Sequence, residues 1–94
     1  MKPDTGTLLV VDIREPHELQ GGMIPGSISI PLSRFDPGAL PPADGRRIVF
    51  SCAAGIRSRI AVDLCLAAGL PWNEHYLGGF REWERSGDAI AFAA

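Results

Sequence analysis

Cys52 and Arg57 stand near the two ends of a short run, Ser51-Cys52-Ala53-Ala54-Gly55-Ile56-Arg57-Ser58, that follows an apolar stretch and leads into a helical pattern. Successive backbone N–H groups in such a loop, with the unpaired N–H groups of the helix start, converge into an anion cradle. The cradle favours thiolate over thiol, so Cys52 is expected to be nucleophilic near neutral pH without an adjacent histidine. Gly55 lets the backbone turn without a Cβ clash, and the small side chains of Ala53 and Ala54 leave the amides accessible. Arg57 adds a permanently charged planar fork suited to a sulfonate, sulfite or phosphate oxygen beside the sulfur. The bland alternative is that Cys52 fills the core as a small hydrophobe. The order strand, Cys, Gly, Arg, helix argues for the reactive reading, because active sites in open α/β sheets lie at the carboxyl ends of strands.

The elements that must position this loop are legible on either side of it. Residues 8–13, Leu-Leu-Val-Val-Asp-Ile, form a continuous apolar run that predicts a central strand buried on both faces of a parallel sheet. Residues 15–20 place Pro16 at a first helical position and end at Gly21-Gly22, which predicts a short helix closed by glycine. Residues 28–30 read as a short strand, 33–35 as a helical turn, and the proline-rich 36–44 as a surface loop. Residues 47–51 predict the strand that delivers Cys52. From 58 to 68, Ile60, Ala61, Leu64, Cys65 and Ala68 recur at helical spacing and are expected to form the buried face, with Gly69 as the terminal cap. A third strand over 73–77 and a short helix over 80–85 complete the pattern. Strands alternating with helices imply an α/β fold with a small parallel sheet flanked by helices on both faces.

The composition excludes several classes. The 94 residues are expected to form one domain spanning 1–94, with nine basic and eleven acidic side chains and no basic run to attract nucleic acid. No apolar stretch is long enough to span a bilayer and no secretory leader is visible, so a cytoplasmic location is expected. Two cysteines are too few for a disulfide framework and lack the paired spacing of a zinc site, so no metal or cofactor is expected. Cys65, in mid-helix, reads as core filling. His17 and His75 have no partner at metal or triad spacing and read as structural or solvated.

Four separated segments then carry a resemblance: Val11-Asp12-Ile13-Arg14-Glu15, Gly22-Met23-Ile24-Pro25-Gly26-Ser27, Cys52-Ala53-Ala54-Gly55-Ile56-Arg57-Ser58, and Leu77-Gly78-Gly79 with Trp83. In order and spacing, over residues 8–85, the chain resembles the rhodanese homology domain. The resemblance implies that Cys52 is the sulfur-accepting cysteine and that Ala53, Ala54, Gly55, Ile56 and Arg57 form the rest of the substrate-binding loop. It also implies that Asp12 and Arg14 support the loop from beneath, with Ser58 at its end, and that Gly78, Gly79 and Trp83 pack near its rim. Two positions depart from the usual pattern: Met23 stands where a histidine is common, and Glu18 where some members carry a basic residue. The second bears on thiosulfate binding more than on persulfide chemistry. The family's leading strand and helix have little room before Leu8, so the sheet is expected to lack an edge strand, exposing backbone donors that favour dimerisation; a monomer or weak homodimer is expected.

The expected reaction is a two-step sulfur transfer through a Cys52 persulfide, from thiosulfate or a persulfide to a thiol or cyanide, with a protein acceptor also open. Two readings compete. A cysteine phosphatase also sets Cys and Arg around an amide cradle, but it has five intervening residues where this chain has four, and Ser51 stands where a histidine usually precedes that cysteine. A non-enzymatic sulfur-delivery or protein-interaction module is the other.

Overall fold

In a computed structural model, which describes residues 7–92 of the chain, β1 (Leu8–Asp12) and β3 (Arg47–Ser51) form the centre of the fold. Both are buried over at least their last four residues, as expected for apolar runs covered on two faces. They pair in parallel from Leu8 opposite Arg47 to Asp12 opposite Ser51. That register makes both strands end on one line, so the residues after Asp12 and after Ser51 emerge side by side. β2 (Ile28–Ser29) lies outside β1 and β4 (Glu74–His75) outside β3, giving an all-parallel sheet of order β2-β1-β3-β4.

Strand alternation sends Leu9, Val11, Ile48 and Phe50 to one face, where they pack with Ala61, Val62 and Cys65 of α1 (Ile56–Ala67). Val10 and Val49 point the other way, onto Ile24, Tyr76 and, from α2 (Gly79–Arg85), Phe80 and Trp83. Helices therefore cover both faces. The segments expected as a short helix over 15–20 and a helical turn over 33–35 are 3₁₀ helices of two turns and one, Pro16–Gly21 and Leu32–Arg34. After α1, Gly69 has φ +78°, and Leu70 N–H reaches back to the Cys65 carbonyl, the glycine-closed end its position predicts.

One expectation is corrected. The buried stripe of α1 is Ser58, Ala61, Val62 and Cys65, whereas Ile60 and Leu64 are exposed, as is Ala68. Apolar residues lie on nearly every side of this helix, so spacing alone selects no unique face. Ser58 and the small residues Ala61 and Cys65, each at 0% exposure, face the sheet.

Candidate active site

The loop after β3 is built by three restraints. Cys52, at 1% exposure, continues the strand into the core, and its Sγ accepts hydrogen bonds from the Gly55 N–H at 3.1 Å and the Ser58 N–H at 3.4 Å. Gly55 holds φ +92° immediately before α1, and a Cβ there would meet the Leu77 carbonyl oxygen at 2.1 Å. From the opposite side, Phe80 N–H of α2 binds the Cys52 carbonyl at 2.7 Å and Arg81 N–H binds the Ala53 carbonyl at 3.1 Å. Because each trans peptide opposes its C=O and N–H, pinning those carbonyls aims the Ala53 and Ala54 amides away from α2. Gly79 lets α2 approach this closely: a Cβ on it would lie 2.5 Å from the Cys52 carbonyl oxygen.

These contacts decide the ionisation of the sulfur. Burial pushes the Cys52 thiol up, but hydrogen bonds from the Ser58 hydroxyl and from the amides of Ser58, Ala54 and Gly55 outweigh it, leaving the thiol below its ordinary range. Cys65, buried among apolar neighbours, is pushed the other way by burial. The two cysteines thus differ by environment, as an amide cradle predicts for one and core packing for the other.

Asp12 and Arg14, at the carboxyl end of β1, are buried at 2% and 3% exposure. Arg14 Nε and Nη2 donate to the Asp12 carboxylate at 3.0 and 2.7 Å, while Nη1 and Nη2 also bind the carbonyls of Glu18 and Gly22. The guanidinium lies 4.2 Å from the Phe80 ring centroid, against the residue whose N–H holds the Cys52 carbonyl. Arg14 therefore ties the end of β1 to the Pro16–Gly21 turn and to α2.

That turn carries Glu18 to Arg57. The carboxylate and guanidinium meet fork to fork at 2.6 and 2.7 Å, and Glu18 Oε1 also accepts from the Glu15 N–H. Arg57, expected as a free fork for a donor anion, is neutralised by a partner 39 residues away in sequence. Arg57 hydrogen bonds hold the Glu18 carboxyl down to about 2, from an ordinary 4.5. With the folded value depressed, the clamp's contribution to stability is complete above the unfolded value and disappears as pH falls from about 4.5 to about 2. Denaturant titrations of wild type and Glu18→Gln should accordingly differ near neutrality and converge across that acid window. A stability difference that stays constant through it would show that the clamp is not the cause.

Of the remaining expected loop residues, Ile56 is 78% exposed at the start of α1, and Ala53 and Ala54 stand half-buried and exposed at the rim. Met23 is buried and paired through its backbone with Ala91, a packing role. His75, read from sequence as structural or solvated, is brought by β4 to the Ser58 hydroxyl, with Nδ1 2.8 Å from Oγ. No spacing signal could have shown this contact. Among the described residues there is no cluster of three His, Cys, Asp or Glu that could hold a metal, and no helix is long and apolar enough to cross a membrane.

The rhodanese-like domain model matches residues 1–86. The chain belongs to this family. Among curated relatives it is 36% identical over 90 residues to the mouse thiosulfate sulfurtransferase/rhodanese-like domain-containing protein 3, covering 81% of this chain and 57% of that one. It is 29% identical over 93 residues to the human thiosulfate:glutathione sulfurtransferase, covering 84% of this chain and 81% of that protein. The chain thus spans little more than half of the mouse relative and most of the human one. Among solved structures, a rhodanese-related protein of Thermoplasma volcanium superposes with a TM-score of 0.79 at 32% identity, covering 94% of this chain and 87% of that one. The small parallel sheet with helices on both faces is the rhodanese-like fold.

Proposed function

We propose that this rhodanese-like domain is a sulfurtransferase that carries sulfur as a persulfide on Cys52. The observation that carries the reading is the Cys52 sulfur seated in the Gly55 and Ser58 amides at the start of α1, with its thiol lowered by the Ser58 hydroxyl and the loop amides against the effect of burial. The thiolate attacks the outer sulfur of a donor such as thiosulfate or a persulfide. The donor's S–S bond breaks, and sulfite or a thiolate leaves with the electron pair. An acceptor thiolate or cyanide then attacks the outer sulfur of the Cys52 persulfide, and the Cys52 thiolate is regenerated. Loop amides stabilise the anion at each stage, and no metal or organic cofactor is needed. The acceptor is a small thiol or cyanide, or a thiol on a protein, in keeping with the exposed Ile56 and Leu77 beside the loop.

Exposure to thiosulfate or a small persulfide, followed by intact-protein mass spectrometry and peptide mapping, should locate one added sulfur on Cys52. The same preparation should hydrolyse aryl phosphates negligibly. Phosphate release at a rate comparable to sulfur transfer would put a cysteine phosphatase in its place. Absence of any added sulfur with both donors would leave the non-enzymatic interaction module.

Glu18 bears on the donor. With Arg57 held in an ion pair, the cradle offers a doubly charged donor less net attraction than a lone guanidinium would. Glu18→Gln should raise kcat/KM for thiosulfate by about 10-fold, equivalent to about 1.4 kcal/mol and typical of one charge-assisted contact, and leave a low-charge persulfide donor much less affected. Equal changes with both donors would show that Glu18 only shapes the loop.

A further inference from the structure

His75 lies outside the loop, on the edge strand, and has no part in the chemistry above. Its backbone is registered against Phe50, two residues before Cys52, and its ring reaches the same buried hydroxyl that bonds the sulfur. Ser58 is fully buried at 0% exposure. Its Oγ donates to the Gly55 carbonyl at 3.2 Å and lies 2.8 Å from His75 Nδ1, and the same hydroxyl helps to lower the Cys52 thiol.

A hydroxyl brings one proton and two lone pairs. The Gly55 carbonyl and a Cys52 thiolate can only accept. Were Nδ1 to accept as well, three acceptors would compete for one proton, and both lone pairs of a buried oxygen would stay empty. An Nδ1–H that donates to Oγ removes the conflict, because it fills a lone pair and leaves the hydroxyl proton to the carbonyl and the sulfur. Ser58 N–H already points to the same sulfur at 3.4 Å, so the residue then presents two donors to it.

We propose that His75 is a positioning residue whose Nδ1–H donates to Ser58 Oγ and thereby keeps the Ser58 hydroxyl proton off the imidazole, on the side of the Gly55 carbonyl and Cys52 Sγ. The proposal rests on the reading of Cys52 as the nucleophile. It assigns His75 no proton transfer in the reaction, only the direction of a hydrogen bond one residue removed from the sulfur.

The test measures the Cys52 thiol directly, as the pH dependence of its alkylation by iodoacetamide in a Cys65→Ser background. No sulfur donor is involved, so its outcome is separate from that of sulfur transfer. Arg57, whose charge is coupled to Cys52 and held by Glu18, is unchanged in every variant, as is Glu74 of β4, bridged to Arg47. Ser58→Ala should raise the titration midpoint of Cys52. His75→Leu should raise it by roughly half a pH unit, about a threefold loss of alkylation rate below the midpoint. His75→Asn, whose amide places an N–H donor near the position of Nδ1, should restore the wild-type midpoint. Adding His75→Leu to Ser58→Ala should produce no further shift, because the relay is already cut. His75→Ala replaces Leu in the series if the Leu protein does not fold. The proposal is overturned if Asn and Leu behave alike, if loss of the ring leaves the midpoint in place, or if it shifts the midpoint equally with and without Ser58.

Discussion

Cys52→Ser should reduce sulfur transfer to the uncatalysed background and remove the added sulfur seen by mass spectrometry, whereas Cys65→Ser should keep most of the activity. Serine fits the same space and can still accept from the Gly55 and Ser58 amides, so the fold of the loop is conserved in this comparison. What disappears is a nucleophile whose anion is populated near neutral pH. A hydroxyl stays protonated there, and it cannot hold sulfur in a persulfide. The expected loss is on the order of 10⁴-fold or more in kcat/KM, the scale on which removal of a nucleophile is felt. Cys65 sits in the core on α1, its thiol pushed up by burial. Turnover by Cys52→Ser above background, or loss of activity in a folded Cys65→Ser protein, would overturn the assignment of the sulfur carrier.

The second large effect is on stability. Asp12→Ala leaves the Arg14 guanidinium buried at 3% exposure without its carboxylate, with only the Glu18 and Gly22 carbonyls and the Phe80 ring around it. Breaking a buried pair by removing one partner costs about 3–5 kcal/mol, most of it the penalty on the charge left behind. In a domain of this size each kcal/mol lowers Tm by roughly 4–8 °C, so thermal unfolding followed by circular dichroism should show a fall of more than about 10 °C. The double variant Asp12→Leu/Arg14→Met removes both charges and should recover part of that loss. Full recovery is not expected, because Arg14 also holds the carbonyls of Glu18 and Gly22. A fall of less than about 1 kcal/mol for Asp12→Ala would show that water or another group compensates the arginine.

The same pair shows how far local sequence carries. Asp12 and Arg14 are two residues apart, at the end of a strand whose burial follows from five consecutive residues, and their place at the carboxyl end of β1 was legible from the apolar run that precedes them. So were the central position of β1, the boundaries of β3, the glycine-closed end of α1, and a cysteine set at the carboxyl edge of the sheet beside a glycine turn. Each depends on patterns within one element or one turn: apolar runs, a residue free to take positive φ, a helix start.

Only the tertiary structure decided three other points. The buried side of α1 is chosen by the fit of Ser58, Ala61 and Cys65 to the sheet, because a helix apolar on several sides has no single stripe to read. Arg57 meets Glu18 across 39 residues, and Ser58 meets His75 across 17. Both pairings arise because parallel strands in one register bring successive connections to the same edge, a juxtaposition set by the sheet and not by spacing along the chain. The sequence by itself therefore determined which cysteine stands at the carboxyl edge of the sheet, and the amide cradle around its sulfur. The tertiary structure decided that the neighbouring arginine is already paired, and that a histidine on another strand reaches the hydroxyl beside the sulfur.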